Sequence, residues 1–100
     1  MGTDKKVRIR DNGGIAVGAY LRALRENLEL TPTEVAAQIK SDPTQIWRIE
    51  SWKADVRSSL LFAYIKAVGG SPDDVSRLIN NPKASTSDGE LLAKLHISSK

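Results

Sequence analysis

One hundred residues, 40% of them hydrophobic and 27% charged, bound the chain to one small domain with a single modest core. With no cysteine and one histidine, His96, the sequence excludes a disulfide framework, a thiolate metal site and a histidine cluster, so neither metal nor cofactor is expected. No apolar run approaches the roughly 20 residues that span a bilayer, and the charged N-terminus lacks the apolar stretch of a signal peptide; no membrane partner and a cytoplasmic location are expected. The net charge of +3 is confined to the first ten residues, where Lys5, Lys6, Arg8 and Arg10 face Asp4 alone.

Residues 1–14 therefore read as a basic arm. From Asp11 to Arg57, six basic residues meet seven acidic ones, so the body is about neutral and any non-specific attraction to a polyanion leans on the arm. A solubilising tail is the plain alternative. Lys6 to Arg10 alternates polar and apolar like a strand. Asp11-Asn12-Gly13-Gly14 reads as a turn, after which Val17, Leu21, Leu24 and Leu28 recur at steps of four, three and four. They form the inward stripe of a first helix reaching about Glu29.

The stretch Thr31 to Ser51 carries the most information. Thr31 caps a helix with Pro32 in its first position, and Glu34, three residues on, completes a capping box. Val35, Ala36 and Ile39 face inward, and the helix ends near Lys40 because Asp42-Pro43 repeats the cap-then-proline signal. In the second helix Ile46 and Ile49 belong to the core, leaving Thr44, Gln45 and Arg48 free to reach a ligand. Two short helices crossing at a tight turn have the layout of a helix-turn-helix, which makes DNA the first candidate partner.

Trp52 to Arg57 reads as a loop, followed by a helix capped by Ser58 with Leu60, Leu61, Tyr64, Ile65 and Val68 inward and Gly69-Gly70 at its end. Ser71-Pro72-Asp73-Asp74 opens a fifth helix carrying Val75, Leu78 and Ile79, which Asn80-Asn81-Pro82 terminates. Residues 15–82 thus form an all-α, five-helix domain. Residues 83–100 read as a polar linker, Lys83 to Gly89, and a C-terminal tail that is a candidate for dimerisation. Glu90 to Leu95 is compatible with a helical turn or two, whereas Lys94 to Ser98 alternates like a strand and could pair with Lys6 to Arg10, against the alternative of two frayed tails.

From Gly18 to Gly70 the chain resembles the Cro/C1-type, or XRE, family of helix-turn-helix regulators. The resemblance rests on Leu21-x-x-Leu24-Arg25, Leu30-Thr31, Val35-Ala36, Ile46-x-x-Ile49-Glu50 and the apolar fourth helix ending in Val68-Gly69. It implies a lambda-repressor-like fold with its helix-turn-helix at helices 2 and 3 and with flexible or short-strand termini. The implied function is sequence-specific binding of double-stranded DNA by a homodimer, as a transcriptional regulator with repression as the expected sense. Base contacts would come from Pro43, Thr44, Gln45 and Arg48, the last matching guanine O6 and N7 with its planar fork. Phosphate contacts would come from Thr33, Ser51, Lys53 and Arg57, with Lys5, Lys6, Arg8 and Arg10 as a DNA arm. Arg25 and Glu50 would form a buried structural ion pair, and Trp47 reads as a packing residue, with an exposed aromatic at Trp47 or Trp52 as the alternative that a protein-interaction role would use.

Three positions depart from the family pattern. Pro32 replaces a glutamine that anchors a phosphate, Lys40 replaces a turn glycine and so has to accept a positive φ, and Trp52 replaces the glycine after helix 3. A protein-interaction module of the same fold, antitoxin-like or partner-recruiting, is the competing reading. An enzyme is not expected, because the chain has no phosphate-binding glycine loop, convergent carboxylates or histidine beside a nucleophile.

Overall fold

Local capping signals set most of the chain's architecture. In the computed structural model, which describes residues 6–7, 12–52, 56–81 and 83–99, the order is β1 (Lys6–Val7), α1 (Asn12–Asn27), α2 (Pro32–Gln38), α3 (Pro43–Ser51), β2 (Val56–Arg57), α4 (Ser58–Ala67), α5 (Pro72–Ile79) and α6 (Thr86–Ser98). The fold is all-α. Its core is built from Val17, Leu21 and Leu24 of α1, Val35 and Ala36 of α2, Ile46 and Ile49 of α3, Leu61, Tyr64 and Ile65 of α4, and Val75 and Leu78 of α5. Tyr20 and Tyr64 are its largest fully buried side chains.

Four expectations change. First, α1 begins at Asn12, so Gly13 and Gly14 are helical rather than part of a turn. Gly14 serves packing there: a Cβ would lie 2.6 Å from Cδ1 of Trp52, whose indole rests on the bare backbone. Second, Leu28 leaves the inward stripe and is 48% exposed. α1 has already ended by then, and Glu29 turns the chain with φ 57°. Third, the predicted loop before α4 contains β2, with Val56 buried, and Arg57 rather than Ser58 occupies the N-cap position.

The fourth change concerns the C-terminus, where α6 replaces the linker and the strand. Ser85 accepts from the Asp88 N–H, while the Asp88 carboxylate accepts from the Ser85 N–H, a capping box inside the polar segment. β1 instead pairs antiparallel with β2, Lys6 opposite Arg57 and Val7 opposite Val56; Arg8, Ile9 and Arg10 lie outside the described residues.

The helix α6 packs chiefly along α1. Gly89 makes this approach possible, since a Cβ there would stand 2.0 Å from the Ala16 carbonyl oxygen, and Ala93, fully buried, extends the small-residue contact. Polar ties fix the far end. The Tyr20 hydroxyl donates to Asp74 Oδ2 at 2.9 Å and accepts from the Ser71 N–H at 2.9 Å, joining α1 to the start of α5. His96 Nε2 lies 2.7 Å from the Gly69 carbonyl, joining α6 to the end of α4. Burial, reinforced by the Asp74 carboxylate, holds the Tyr20 hydroxyl in its neutral form well above the usual tyrosine range.

Candidate nucleic-acid interface

Two caps and one left-handed residue shape the turn between α2 and α3. The Thr31 hydroxyl accepts from the Glu34 N–H at 3.1 Å and the Glu34 carboxylate accepts from the Thr31 N–H at 2.9 Å, with Pro32 at the first position. Asp42 accepts from the Gln45 N–H at 3.1 Å, which opens α3 behind Pro43. Between them Lys40 adopts φ 55°, and the Ser41 N–H returns to the Ala36 carbonyl at 2.8 Å, closing the end of α2. Trp52, the residue after α3, likewise takes φ 52°. Its half-buried ring packs against the core instead of lying on the surface.

A buried polar knot fixes α3 to the rest of the domain. Arg25 Nε donates to Glu50 Oε2 at 2.6 Å and Nη2 donates to Oε1 at 3.2 Å, a bidentate pair. The remaining Nη1 donates to the Leu30 carbonyl at 2.7 Å, and the Tyr64 hydroxyl donates to Glu50 Oε2 at 2.5 Å. One arginine thus ties α1 to α3 and to the strand of chain that leads into α2. The bond to Glu50 pushes Arg25 further above its already high range, against the opposing effect of burial. Burial, then the bond to Glu50, pushes the Tyr64 hydroxyl well above the usual tyrosine range.

With Ile46 and Ile49 turned inward, α3 presents Thr44, Trp47 and Arg48 outward, with Gln45 and Ser51 half-buried at the margins. Pro43 is exposed at the start of the helix. Gln45 and Arg48 line a concavity of about 610 Å3 together with Lys40, Ser41, Arg57 and Ser59. Arg57 of the expected phosphate set is therefore on the same surface as Gln45 and Arg48, and Thr33 is exposed on α2. The Ser51 hydroxyl proton is engaged by the Trp47 carbonyl at 2.8 Å, so Ser51 as it stands offers an acceptor rather than a donor. Lys5, Arg8, Arg10 and Lys53 fall outside the described residues, as does the side chain of Lys6.

Sequence reasoning leaves out two residues that line the concavity and leaves a third between two readings. Lys40 and Ser41 line the concavity, although the turn was read only for its backbone. Of the two readings of Trp47, the exposed aromatic holds: it is 55% exposed. The signal is in the wheel, where Trp47 stands about 100° from Ile46 and about 160° from Ile49, outside the Ile46–Ile49 stripe. Among the described residues, no cluster of potential ligands could hold a metal ion and no helix is long and apolar enough to cross a membrane.

A helix-turn-helix domain family matches residues 16–78. An uncharacterised 15.4 kDa protein of the HgiDIIM 5′ region of Herpetosiphon aurantiacus is 38% identical over 79 residues, covering 79% of this chain and 57% of its own length. The chain thus spans little more than half of that relative. The crystal structure of the clp gene regulator ClgR from C. glutamicum superimposes with a TM-score of 0.60 at 27% identity, over 82% of this chain and 100% of that one. With its capped α2–α3 pair inside the matched region, the chain belongs to the helix-turn-helix domain family, and its motif is of the type found in XRE-family DNA-binding regulators.

Proposed function

We propose that this chain binds double-stranded DNA sequence-specifically and regulates transcription, as a repressor, by laying α3 in the major groove. The observation that carries this reading is the outward set on α3, Thr44, Gln45 and Arg48, held at a fixed angle by the Arg25–Glu50–Tyr64 knot. A groove of B-DNA admits one α-helix and displays a distinct donor and acceptor pattern for each base pair. Arg48 matches the two acceptors of guanine, Gln45 the donor and acceptor of adenine, and Thr44 supplies an adaptable hydroxyl, with Pro43 as an apolar touch. Arg57, Thr33 and Lys53 are assigned to phosphates, which Ser51 joins only by releasing its bond to the Trp47 carbonyl, and Lys5, Lys6, Arg8 and Arg10 to a trailing arm that adds salt-dependent affinity.

A single short helix buries little surface, so two copies reading half-sites about one helical turn apart are part of the proposal. Leu91 and Leu95, exposed one turn apart on α6, favour a protein contact at that helix, and they also support the second reading, a partner-recruiting module of the same fold.

Selection from random duplex DNA at two stated salt concentrations tests the proposal. Enrichment of a two-fold symmetric sequence is expected. Arg48→Ala should lose one base preference worth about 1–3 kcal/mol, and Gln substitutions at the four arm residues should flatten the salt dependence. No enrichment at low salt would refute it.

A further inference from the structure

The outward surface of α3 contains a residue that the base and phosphate assignments leave unused. At 100° per residue, the exposed arc runs in the order Trp47, Ser51, Thr44, Arg48, Gln45, spanning about 160°. Trp47 and Gln45 therefore sit on opposite flanks of the same helix, both within its first two turns. Gln45 and Arg48 line the concavity beside α4, and the wheel puts Trp47 on the flank away from it. A helix seated in the major groove presents its two flanks to different strands. The flank marked by Trp47 carries more than half-exposed indole surface, an apolar body held by only two side-chain torsions.

We infer that Trp47 is a specificity-determining residue which reads thymine through its C5-methyl group. This rests on the DNA-binding reading above and adds a base class to it. The thymine methyl is the one apolar feature among the base edges of the major groove, and an indole face is the matching surface. Thr44, three residues before Trp47, and Arg48, next to it, bring the ring into the same stretch of bases that the polar side chains reach. Reading is then divided, with purines addressed by Arg48 and Gln45 and a thymine of the facing strand by Trp47.

The test uses the full chain and the duplex recovered by random selection. Binding is measured for the wild type, Trp47→Ala and Trp47→Phe, on that duplex and on versions in which each thymine in turn is replaced by deoxyuridine. At one position, loss of the methyl should weaken the wild type about fourfold, the worth of one buried carbon, and leave Trp47→Ala unaffected. Trp47→Ala should bind the parent duplex at least as many times more weakly, with Trp47→Phe between the two. Protection of wild-type indole fluorescence from acrylamide, resolved against Trp47→Phe, should appear on adding the duplex.

Deoxyuridine replacement needs no variant, so the inference stays open to refutation even if Trp47→Ala folds poorly. A wild type that binds the selected duplex but is indifferent to every replacement, with Trp47→Ala equally tight, would overturn the thymine reading and leave DNA binding standing. Acrylamide protection that grows with protein concentration and gains nothing from the duplex would overturn it in favour of a protein interface. A wild type that selects no sequence would overturn both.

Discussion

Removing Arg25 should reveal how much of the domain depends on one buried charge pair. The Arg25 and Glu50 side chains are 9% and 10% exposed. Arg25→Met deletes both hydrogen bonds to the carboxylate and the one to Leu30, leaving Glu50 with the Tyr64 hydroxyl as its remaining described partner. A buried charge stripped of its counter-ion costs about 3–5 kcal/mol. In a domain of this size each kcal/mol lowers Tm by about 4–8 °C, so a fall of at least about 12 °C is expected. Glu50→Leu should cost a similar amount, because the guanidinium retains only the Leu30 carbonyl.

The double variant should recover most of the loss, since two apolar side chains need no compensation. What remains is a Tyr64 hydroxyl without its acceptor, worth about 1–3 kcal/mol, which adding Tyr64→Phe should relieve. Urea denaturation of the two singles, the double and the triple forms the cycle. If each single costs below about 1 kcal/mol, or if the singles add in the double to within about 0.5 kcal/mol, the pair is not the fastener argued above.

Three further outcomes follow from the packing and the buried hydroxyls. Lys40→Gly should stabilise by up to about 1 kcal/mol by relieving its positive φ, whereas Trp52→Gly, at nearly the same dihedrals, should destabilise by about 1–3 kcal/mol because the core loses an indole; thermal melts of the two decide between backbone strain and packing. Gly89→Ala places a Cβ against the Ala16 carbonyl and should cost about 2–3 kcal/mol as α6 is forced off α1, seen as faster amide exchange along both helices. Tyr20 and Tyr64 both have raised pKa values, so the stability they confer is complete below the unfolded tyrosine value of about 10 and is lost as pH climbs toward their folded values. Melts should show a Tm that falls as pH rises above about 10, and tyrosinate absorbance should rise in step with unfolding rather than ahead of it.

The parts of the fold that were legible are those written in short-range chemistry. Thr31-Pro32-Thr33-Glu34 and Asp42-Pro43 mark helix starts within four residues, and the Ile46–Ile49 spacing sets the face of α3, so the surface bearing Thr44, Gln45 and Arg48 could be read directly. The misreadings came from residues whose meaning is tertiary. Gly14 and Gly89 look like helix breakers, yet each admits a neighbour, an indole in one case and a helix backbone in the other. The Ser85 and Asp88 capping box was hidden because its surroundings are small and polar and because Gly89 follows it. Leu28 continues the stripe in sequence, but α1 ends at Asn27, one residue before it. Trp47 is pulled two ways in the sequence, by residue type, which favours burial, and by its place on the wheel, which does not; the wheel prevails.

The seating of α6 over Gly89 separates two ways of dividing the chain. The recognisable family unit, residues 16–78, stops before that helix, but α6 is the cover on Ala16 and on the backbone at Tyr20. A fragment cut at residue 78 would keep every residue proposed to contact DNA and lose part of the roof above α1. Such a piece should bind weakly for want of rigidity rather than for want of contacts, and grafting the α2–α3 motif onto another protein would have to bring a substitute lid for α1 with it.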